Sequence, residues 1–159
     1  MGFALSDLHL SSTAFNQSCS IPTKHTGEGE DVSPNFSWSN GPENTQAYAV
    51  ICHDPDAPLI TTKGNYGFVH WVYYNIPATI NTLKEGCTEY TNGMTDFGKQ
   101  IYGGPMPPNG HGQHHYYFWI LALDKNVVVE PGLTMYELLA QVEPNVIGMN
   151  RLIGHYQRD

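Results

Sequence analysis

The chain has 159 residues, a net charge of −8 and only seven lysines and arginines. Because binding to nucleic acid or to an anionic membrane depends on clustered basic residues, this balance argues against both partners. No apolar run approaches the ~20 residues of a membrane span, and the start of the chain lacks the basic and apolar regions of a secretion signal. We therefore expect a cytoplasmic protein with one domain, residues 1–159.

Composition points to a β-rich fold with reduced thiols. Charged residues make up 14% of the chain, against a typical ~25%, and glycine, proline and tyrosine are abundant. Many turns and short strands are therefore expected. The cysteines Cys19, Cys52 and Cys87 are odd in number and widely spaced, which fits neither a disulfide framework nor a metal knuckle. We interpret them as structural thiols, with Cys52 beside a chemically suggestive segment.

Strand patterns recur through the first half of the chain. Residues 3–12 suggest a short opening strand, and residues 35–38 alternate polar and aromatic side chains. Residues 46–53 form a nearly continuous apolar run, which is typical of a buried central strand. After a connection rich in glycine and proline, residues 68–77 are β-branched and aromatic. Alternation in this last strand predicts one face with Phe68, His70, Val72 and Tyr74 and another with Val69, Trp71 and Tyr73.

The second half adds a strand at residues 116–123 and one convincing helix. The helix is predicted to begin after Thr134, which forms a capping box with Glu137, and to end near Pro144. Residues 146–156 fit either a short second helix or a closing strand, and we favour a strand for their last part. The chain is thus predicted to be mainly β, a sandwich with one or two helices near its C-terminal end.

Two weak functional signals come first along the chain. Residues 54–58 read Asp-Pro-Asp-Ala-Pro directly after the predicted buried strand, where a rigid turn presents its side chains from a fixed scaffold. Taken alone, Asp54 and Asp56 also fit an ordinary turn in which aspartates accept backbone N–H groups. His70, in the middle of an aromatic strand, fits a hydrogen-bonded core histidine equally well.

The strongest signal lies in residues 102–119, where a loop rich in proline and glycine runs into an aromatic strand. The prolines stiffen the loop, and the glycines would let the main chain approach a small ligand closely. A period of two places His114 and Tyr116 on one face of the strand and His115 on the other. We expect both His111 and His115 to be exposed to solvent.

A metal site is the competing interpretation of these histidines, because His111, His114 and His115 are close in sequence and imidazole is a common ligand. His114 and His115 would diverge on opposite strand faces, however, and no H-x-E or H-E-x-x-H context is present. We therefore predict no metal and no cofactor.

In combination, these motifs resemble the phosphatidylethanolamine-binding protein family, specifically its bacterial and archaeal branch, often called Raf kinase inhibitor-like proteins. The resemblance rests on residues 54–58, on His70-Trp71, on residues 102–108 and 110–116, and on the terminal residues 152–158. It implies antiparallel sheets in a Greek-key sandwich, a small anion-binding pocket at one end, and cis peptide bonds before some of the prolines. Met106 departs from the glycine that is usual in eukaryotic members, so a bulkier pocket rim is expected.

The resemblance also implies the pocket residues, which are Asp54, Asp56, Pro58, His70, Pro107, His114 and Tyr116. Its implied ligands are phosphate, phosphorylated head groups and carboxylates, and a protein kinase is a further implied partner. Whether the protein binds a small molecule or docks a phosphorylated peptide, as a monomer or as a homodimer, stays open.

These residue types suggest a mechanism of recognition by hydrogen-bond donors. Asp54 could hold one ring nitrogen of His70 or His114 so that the other nitrogen points at an anion. Tyr116 could add a hydroxyl, and loop N–H groups next to Gly110 and Gly112 could complete the site. Because protonated imidazole attracts anions, we predict tighter binding as the pH falls through about 6.5.

The alternative function is a hydrolase in which Asp54, Asp56 and a histidine perform general acid–base chemistry. A G-x-S-x-G nucleophile elbow is absent, and Cys52 is the only serine or cysteine next to the matched motifs. We therefore predict a binding protein and not an enzyme.

Overall fold

The computed structural model describes residues 4–58, 67–126 and 130–159. Phe3, the first residue of the predicted opening strand, and residues 59–66 of the predicted connection lie outside these ranges. Short 3-10 helices span Thr23–His25 and Glu143–Asn145. The strands and the α-helix described are β1 (His9–Ser11), β2 (Cys19–Ser20), β3 (Phe36–Ser39), β4 (Ala47–Asp54), β5 (Phe68–Pro77), β6 (Thr82–Leu83), β7 (Thr91–Asn92), β8 (His114–Leu123), α1 (Met135–Val142) and β9 (Val146–Tyr156).

The strands form two sheets, which confirms the predicted mainly-β sandwich. The larger sheet has the order β2-β9-β8-β4-β5-β7, and the smaller has the order β1-β3-β6. The pairs are antiparallel except for β2 with β9, which is parallel. After β5 the chain returns to place β8 on the other side of β4, a crossing connection of the kind found in Greek keys.

The core lies on both faces of the larger sheet, in two layers. Between the sheets, β3 contributes Phe36 and Trp38, and the inner faces of β4, β5 and β8 pack against them. On the outer face, Leu138 and Val142 of α1 cover alternate residues of the same strands. Strand β4 is therefore buried on both faces, which explains its nearly continuous apolar sequence.

The local sequence signals for secondary structure are largely confirmed. Helix α1 begins after Thr134, whose hydroxyl accepts a hydrogen bond from the Glu137 N–H at 3.2 Å, while the Glu137 carboxylate accepts from the Thr134 N–H at 2.9 Å. Strand β8 begins at His114, two residues earlier than predicted. The helix alternative for residues 146–156 is wrong, because the whole of β9 pairs with β8.

The predicted face alternation of β5 is wrong at its beginning. Cys52 of β4 pairs with Trp71, but the next residue of β4, His53, pairs with Val69. His70 is therefore an extra residue of β5 that pairs with no residue of β4. This β-bulge moves His70 to the inner side of the sheet and moves Val69 to the outer core cluster. The bulge therefore directs the His70 imidazole to the inner side of the sheet, near the beginning of β5.

Membrane insertion through a helix has no support in the described ranges, where no helix is long and apolar enough to cross a bilayer.

Candidate functional site

A cavity of about 340 Å³ lies at the end of the larger sheet where β4 ends and where β5 and β8 begin. The antiparallel pairing of β4 with both neighbours brings these three strand ends together. Of the seven predicted site residues, six line the cavity, namely Asp54, Pro58, His70, Pro107, His114 and Tyr116. Asp56 does not.

A buried aspartate and histidine form the polar centre of this cavity. The Asp54 carboxylate accepts a hydrogen bond from the Nδ1 of His114 at 2.7 Å, and its other oxygen accepts the Asp56 N–H at 2.8 Å. The two side chains are only 3% and 2% exposed. Of the two histidines considered as partners for Asp54, the structure therefore pairs it with His114, and this bond fixes the orientation of the imidazole.

The second aspartate of the turn has a different environment. The Asp56 carboxylate accepts hydrogen bonds from the backbone N–H of His115 at 2.8 Å and from its Nδ1 at 2.7 Å. Partial burial opposes ionisation, but the hydrogen bonds from His115 outweigh it and lower the pKa of Asp56. Because His115 is on the opposite face of β8 from His114, Asp56 is held outside the cavity.

His70 is fixed from the opposite side of the cavity by the glycine loop. Its Nδ1 donates to the carbonyl of Gly103 at 2.7 Å, and the Gly103 N–H donates to the carbonyl of His70 at 3.0 Å. In the neutral form, Nε2 therefore carries no proton. Burial lowers the pKa of His70, although the Gly103 carbonyl and the Asp54 carboxylate act in the opposite direction. The free site thus favours a neutral His70.

Tyr116 places a hydroxyl in the cavity that has no hydrogen-bond partner within residues 4–58, 67–126 and 130–159. Tyr116 is fully buried, and its ring meets the His70 ring edge to face with centroids 5.1 Å apart. Burial, and then the nearby Asp54 carboxylate, raises the pKa of this hydroxyl far above its usual range. Tyr116 therefore stays protonated, with the Asp54 carboxylate nearby but with no described acceptor in hydrogen-bond geometry.

The glycine and proline loop forms one wall of the cavity and packs closely on other parts of the protein. An added Cβ would lie 2.4 Å from the Phe97 ring at Gly103 and 2.1 Å from the His25 carbonyl oxygen at Gly104. Near Gly110, where loop N–H groups were predicted to face an anion, the Gly110 N–H donates to the Arg158 carbonyl at 3.2 Å and the His111 N–H to the Pro108 carbonyl at 3.1 Å.

The predicted cis peptide bonds are also wrong for the described ranges, which contain none. Hydrogen bonds to carbonyls tie the loop to neighbouring segments. The Pro105 carbonyl accepts the Gly27 N–H at 2.9 Å, and the Pro107 carbonyl accepts from Arg158 at 3.2 Å. Fixed φ angles and these bonds together keep Pro107 and Pro108 against the cavity.

Sequence reasoning missed the apolar part of the cavity. Ala57, Phe68 and Phe97 line it beside Met106, which alone of the four was predicted at the rim, and the Phe68 and Phe97 ring centroids are 4.7 Å apart. Phe97 comes from an irregular segment with no periodicity, so no local pattern marks it as a site residue. Met106 is 43% exposed at the cavity, in agreement with the predicted bulkier rim. The cavity thus offers polar groups beside an apolar, aromatic surface.

The described ranges contain no group of three His, Cys, Asp or Glu side chains that could hold a metal ion. Cys52 lies behind the cavity in the core, and burial, followed by the Asp54 carboxylate, raises the pKa of its thiol well above the usual value. A thiol held protonated is a poor nucleophile and a poor metal ligand.

The fold and the site together define a class of protein, a β-sandwich with a pocket of Asp, His and Tyr side chains at one end of a sheet. Comparison with known sequences shows the family. The sequence profile described as phosphatidylethanolamine-binding protein matches residues 11–157. The chain therefore belongs to the phosphatidylethanolamine-binding protein family.

Bacterial proteins are among its close relatives in sequence and structure. A UPF0098 protein of Aquifex aeolicus is 35% identical over 155 residues, which cover 93% of this chain and 87% of the relative. The crystal structure of CT736 from Chlamydia trachomatis, a phosphatidylethanolamine-binding protein homologue, superimposes with a TM-score of 0.88 at 31% identity and covers 96% of this chain and 98% of that one. Escherichia coli YbcL gives a TM-score of 0.87 at 28% identity, with 97% and 100% covered.

Proposed function

We propose that this protein binds a small anionic ligand through a phosphate or phosphoryl group. The ligand is inorganic phosphate, a phospholipid head group or another phosphorylated molecule. The observation that carries the proposal is the buried Tyr116 hydroxyl, which lacks a hydrogen-bond partner among the described residues and shares the cavity with His70 and His114. Unsatisfied buried donors are rare, and a ligand acceptor would satisfy this one. The name of the family, which the CT736 and YbcL structures share, refers to a phospholipid and so supports the same ligand class.

Anion binding at this site requires a proton. With their Nδ1 atoms donating to Gly103 and Asp54, neutral His70 and His114 have only unprotonated Nε2 atoms left to offer. The Asp54 carboxylate would also repel an anion. Protonation of a histidine converts its Nε2 into a donor and offsets the aspartate charge, so we expect proton uptake on binding and higher affinity at lower pH.

The apolar lining favours an organic phosphate over inorganic phosphate. Phe68, Phe97 and Met106 provide a surface on which an aromatic or aliphatic substituent can pack. Phenyl phosphate is therefore the probe of choice, with inorganic phosphate as the comparison.

Calorimetric titration with phenyl phosphate between about pH 5.5 and pH 8 tests the proposal. We expect affinity to rise as the pH falls, by at most roughly tenfold per pH unit for one linked proton, and the uptake to appear as a buffer-dependent heat. The His114→Gln variant should lose most of the affinity and the pH dependence, whereas His9→Ala, an exposed histidine on β1, should behave as wild type. Affinity that is flat across this range would contradict the proposal.

The hydrolase alternative has less support from the geometry. Asp56 is held outside the cavity by His115, and no serine or cysteine is among the described residues that line the cavity. Incubation with phosphate and carboxyl esters separates the two functions, because turnover that His114→Gln abolishes would favour the enzyme.

A cytoplasmic location is supported by the free thiols of Cys19, Cys52 and Cys87, since reduced cysteines are usual in that compartment. A protein kinase partner and a homodimer stay predictions.

A further inference from the structure

His111 contacts the central histidine of the cavity, although it does not itself line the cavity. As predicted, His111 is exposed, but its Nδ1 lies 2.7 Å from the Nε2 of His114, and the two ring centroids are 4.9 Å apart. Together with the Asp54 carboxylate on the other ring nitrogen of His114, this contact makes a chain of three side chains, Asp54, His114 and His111.

The proton positions in this series of hydrogen bonds follow from the Asp54 carboxylate, the acceptor at its buried end. Asp54 as a carboxylate can only accept, so the Nδ1 of His114 carries a hydrogen. If His114 is neutral, its Nε2 is an acceptor and His111 must donate from Nδ1. If His114 is protonated, its Nε2 donates to an unprotonated Nδ1 of His111. In both states, His111 occupies the nitrogen that an anion would need.

We propose that His111 competes with the ligand for the Nε2 of His114, an inference that rests on the proposed anion-binding function. An anion gains the Nε2–H donor only when the bond between the two imidazoles opens and His114 carries a proton on Nε2. His111 therefore weakens binding and adds to the specificity of the site, because a ligand must replace the hydrogen bond that it breaks.

The surroundings of His111 allow its ring to leave. Gly110 and Gly112 flank it with φ angles of 71° and 94°, and apart from their chain neighbours no described heavy atom lies within 4 Å of where a Cβ would sit on either glycine. The backbone stays anchored, because the His111 N–H donates to the Pro108 carbonyl at 3.1 Å. Opening thus needs only rotation of an exposed side chain.

Other titratable groups near His114 do not occupy the same atom. Asp54 at the end of β4 takes Nδ1, and Asp56 in the following turn bonds to His115. Tyr116 on β8 keeps its hydroxyl unpartnered among the described residues, and His70 on β5 bonds to the Gly103 carbonyl. Among the hydrogen bonds of the described chain, only the one from His111 engages the Nε2 of His114.

Calorimetric titration of phenyl phosphate into His111→Ala, near neutral pH, tests the competition. Removal of a competing hydrogen bond should tighten binding by about threefold to tenfold relative to wild type. His111→Phe keeps an aromatic ring without the nitrogen and should tighten binding similarly, while the distant His9→Ala should leave it unchanged. Weaker or unchanged binding by His111→Ala would overturn the proposal, as would tightening by His111→Ala alone, since a steric cover would then explain it.

A measurement without ligand separates this inference from the proposed function. Long-range ¹H–¹⁵N NMR of the ring nitrogens above about pH 8 should show His114 protonated on Nδ1 only, and His111 in the less common tautomer that is protonated on Nδ1. A His111 ring protonated on Nε2 at this pH would rule out the bond. If wild type binds neither phenyl phosphate nor inorganic phosphate, the proposed function fails and the competition with it. If wild type binds and the variants bind no tighter, only the competition fails.

Discussion

Two aspartate–histidine pairs of nearly identical local chemistry lie side by side in this protein, in opposite environments. The Asp54–His114 and Asp56–His115 pairs both have an N–O distance of 2.7 Å. The side chains of the first pair are at most 3% exposed, whereas those of the second are 41% and 47% exposed. Residues two apart in the turn and adjacent in the strand are thus divided between the interior of a cavity and the protein surface.

Strand geometry produces this division, and burial decides what each pair can do. Successive side chains of β8 point to opposite faces, so His114 points into the cavity when His115 points out. The exposed Asp56–His115 pair links the turn to the start of β8. Because this pair is in contact with solvent, water and salt weaken its electrostatic attraction. The buried Asp54–His114 pair holds an imidazole in one orientation beside the Tyr116 hydroxyl, which has no hydrogen-bond partner among the described residues, and this is the arrangement on which the proposed anion binding rests.

The largest expected difference between the pairs is in stability. Asp54→Ala removes the acceptor for both the His114 Nδ1 and the Asp56 N–H in a buried place, so we expect the free energy of unfolding to fall by about 3 kcal/mol. Asp56→Ala removes the acceptor for the Nδ1 and the backbone N–H of His115 at an exposed place, and it should cost about 1 kcal/mol. Urea denaturation near neutral pH measures both values. Equal losses would mean that burial does not distinguish the pairs.

A smaller effect is expected for the tyrosine beside the buried Asp54–His114 pair, and it should appear in binding and not in stability. Tyr116→Phe removes a donor that has no partner among the described groups, so the free energy of unfolding should change little. The affinity for phenyl phosphate should fall by about tenfold, the usual loss for one hydrogen bond to a charged group. Tyr117→Phe, on the other face of β8, is the matched control. If both variants bind like wild type, the hydroxyl does not contact the ligand.

The sequence predicts those features of the site that depend on residues close together in the chain. The capping box of α1 and the opposite faces of His114 and His115 follow from a few neighbouring residues, and both are confirmed. The motif of residues 54–58 and the glycine loop could be joined only through the family resemblance, because the Asp54–His114 bond links residues 60 positions apart.

Other features left no signal in the sequence. The bulge at His70 carries no glycine or proline, so regular alternation predicted the wrong face for Val69. Phe97 reaches the cavity from an irregular segment because Gly103 packs on its ring, a contact that only the folded chain reveals. The bond from His111 to His114 was missed for a related reason, since exposure of His111 suggested that it had no role.

The second histidine of the cavity, His70, sharpens the comparison, because it is buried and bonds to a backbone carbonyl and not to a carboxylate. Burial lowers the pKa of His70, against the opposing effects of the Gly103 carbonyl and the Asp54 carboxylate. The unfolded chain binds a proton at this histidine near the ordinary pKa of about 6.5, while the folded chain binds it only at lower pH. Between these two pKa values the unfolded state holds more protons, so His70 makes the protein less stable as the pH falls.

The His70→Gln variant cannot titrate but keeps an amide donor for the Gly103 carbonyl. All other groups are common to both proteins, so the stability difference between wild type and variant should shift in favour of the variant as the pH falls below about 6.5. Urea denaturation across about pH 7 to pH 5 measures this shift. Saturating phenyl phosphate should reduce the shift, because the ligand favours protonated histidine in the folded state. A stability difference that stays constant over this range would mean that His70 titrates alike in the folded and unfolded chains, and that its burial has no electrostatic consequence.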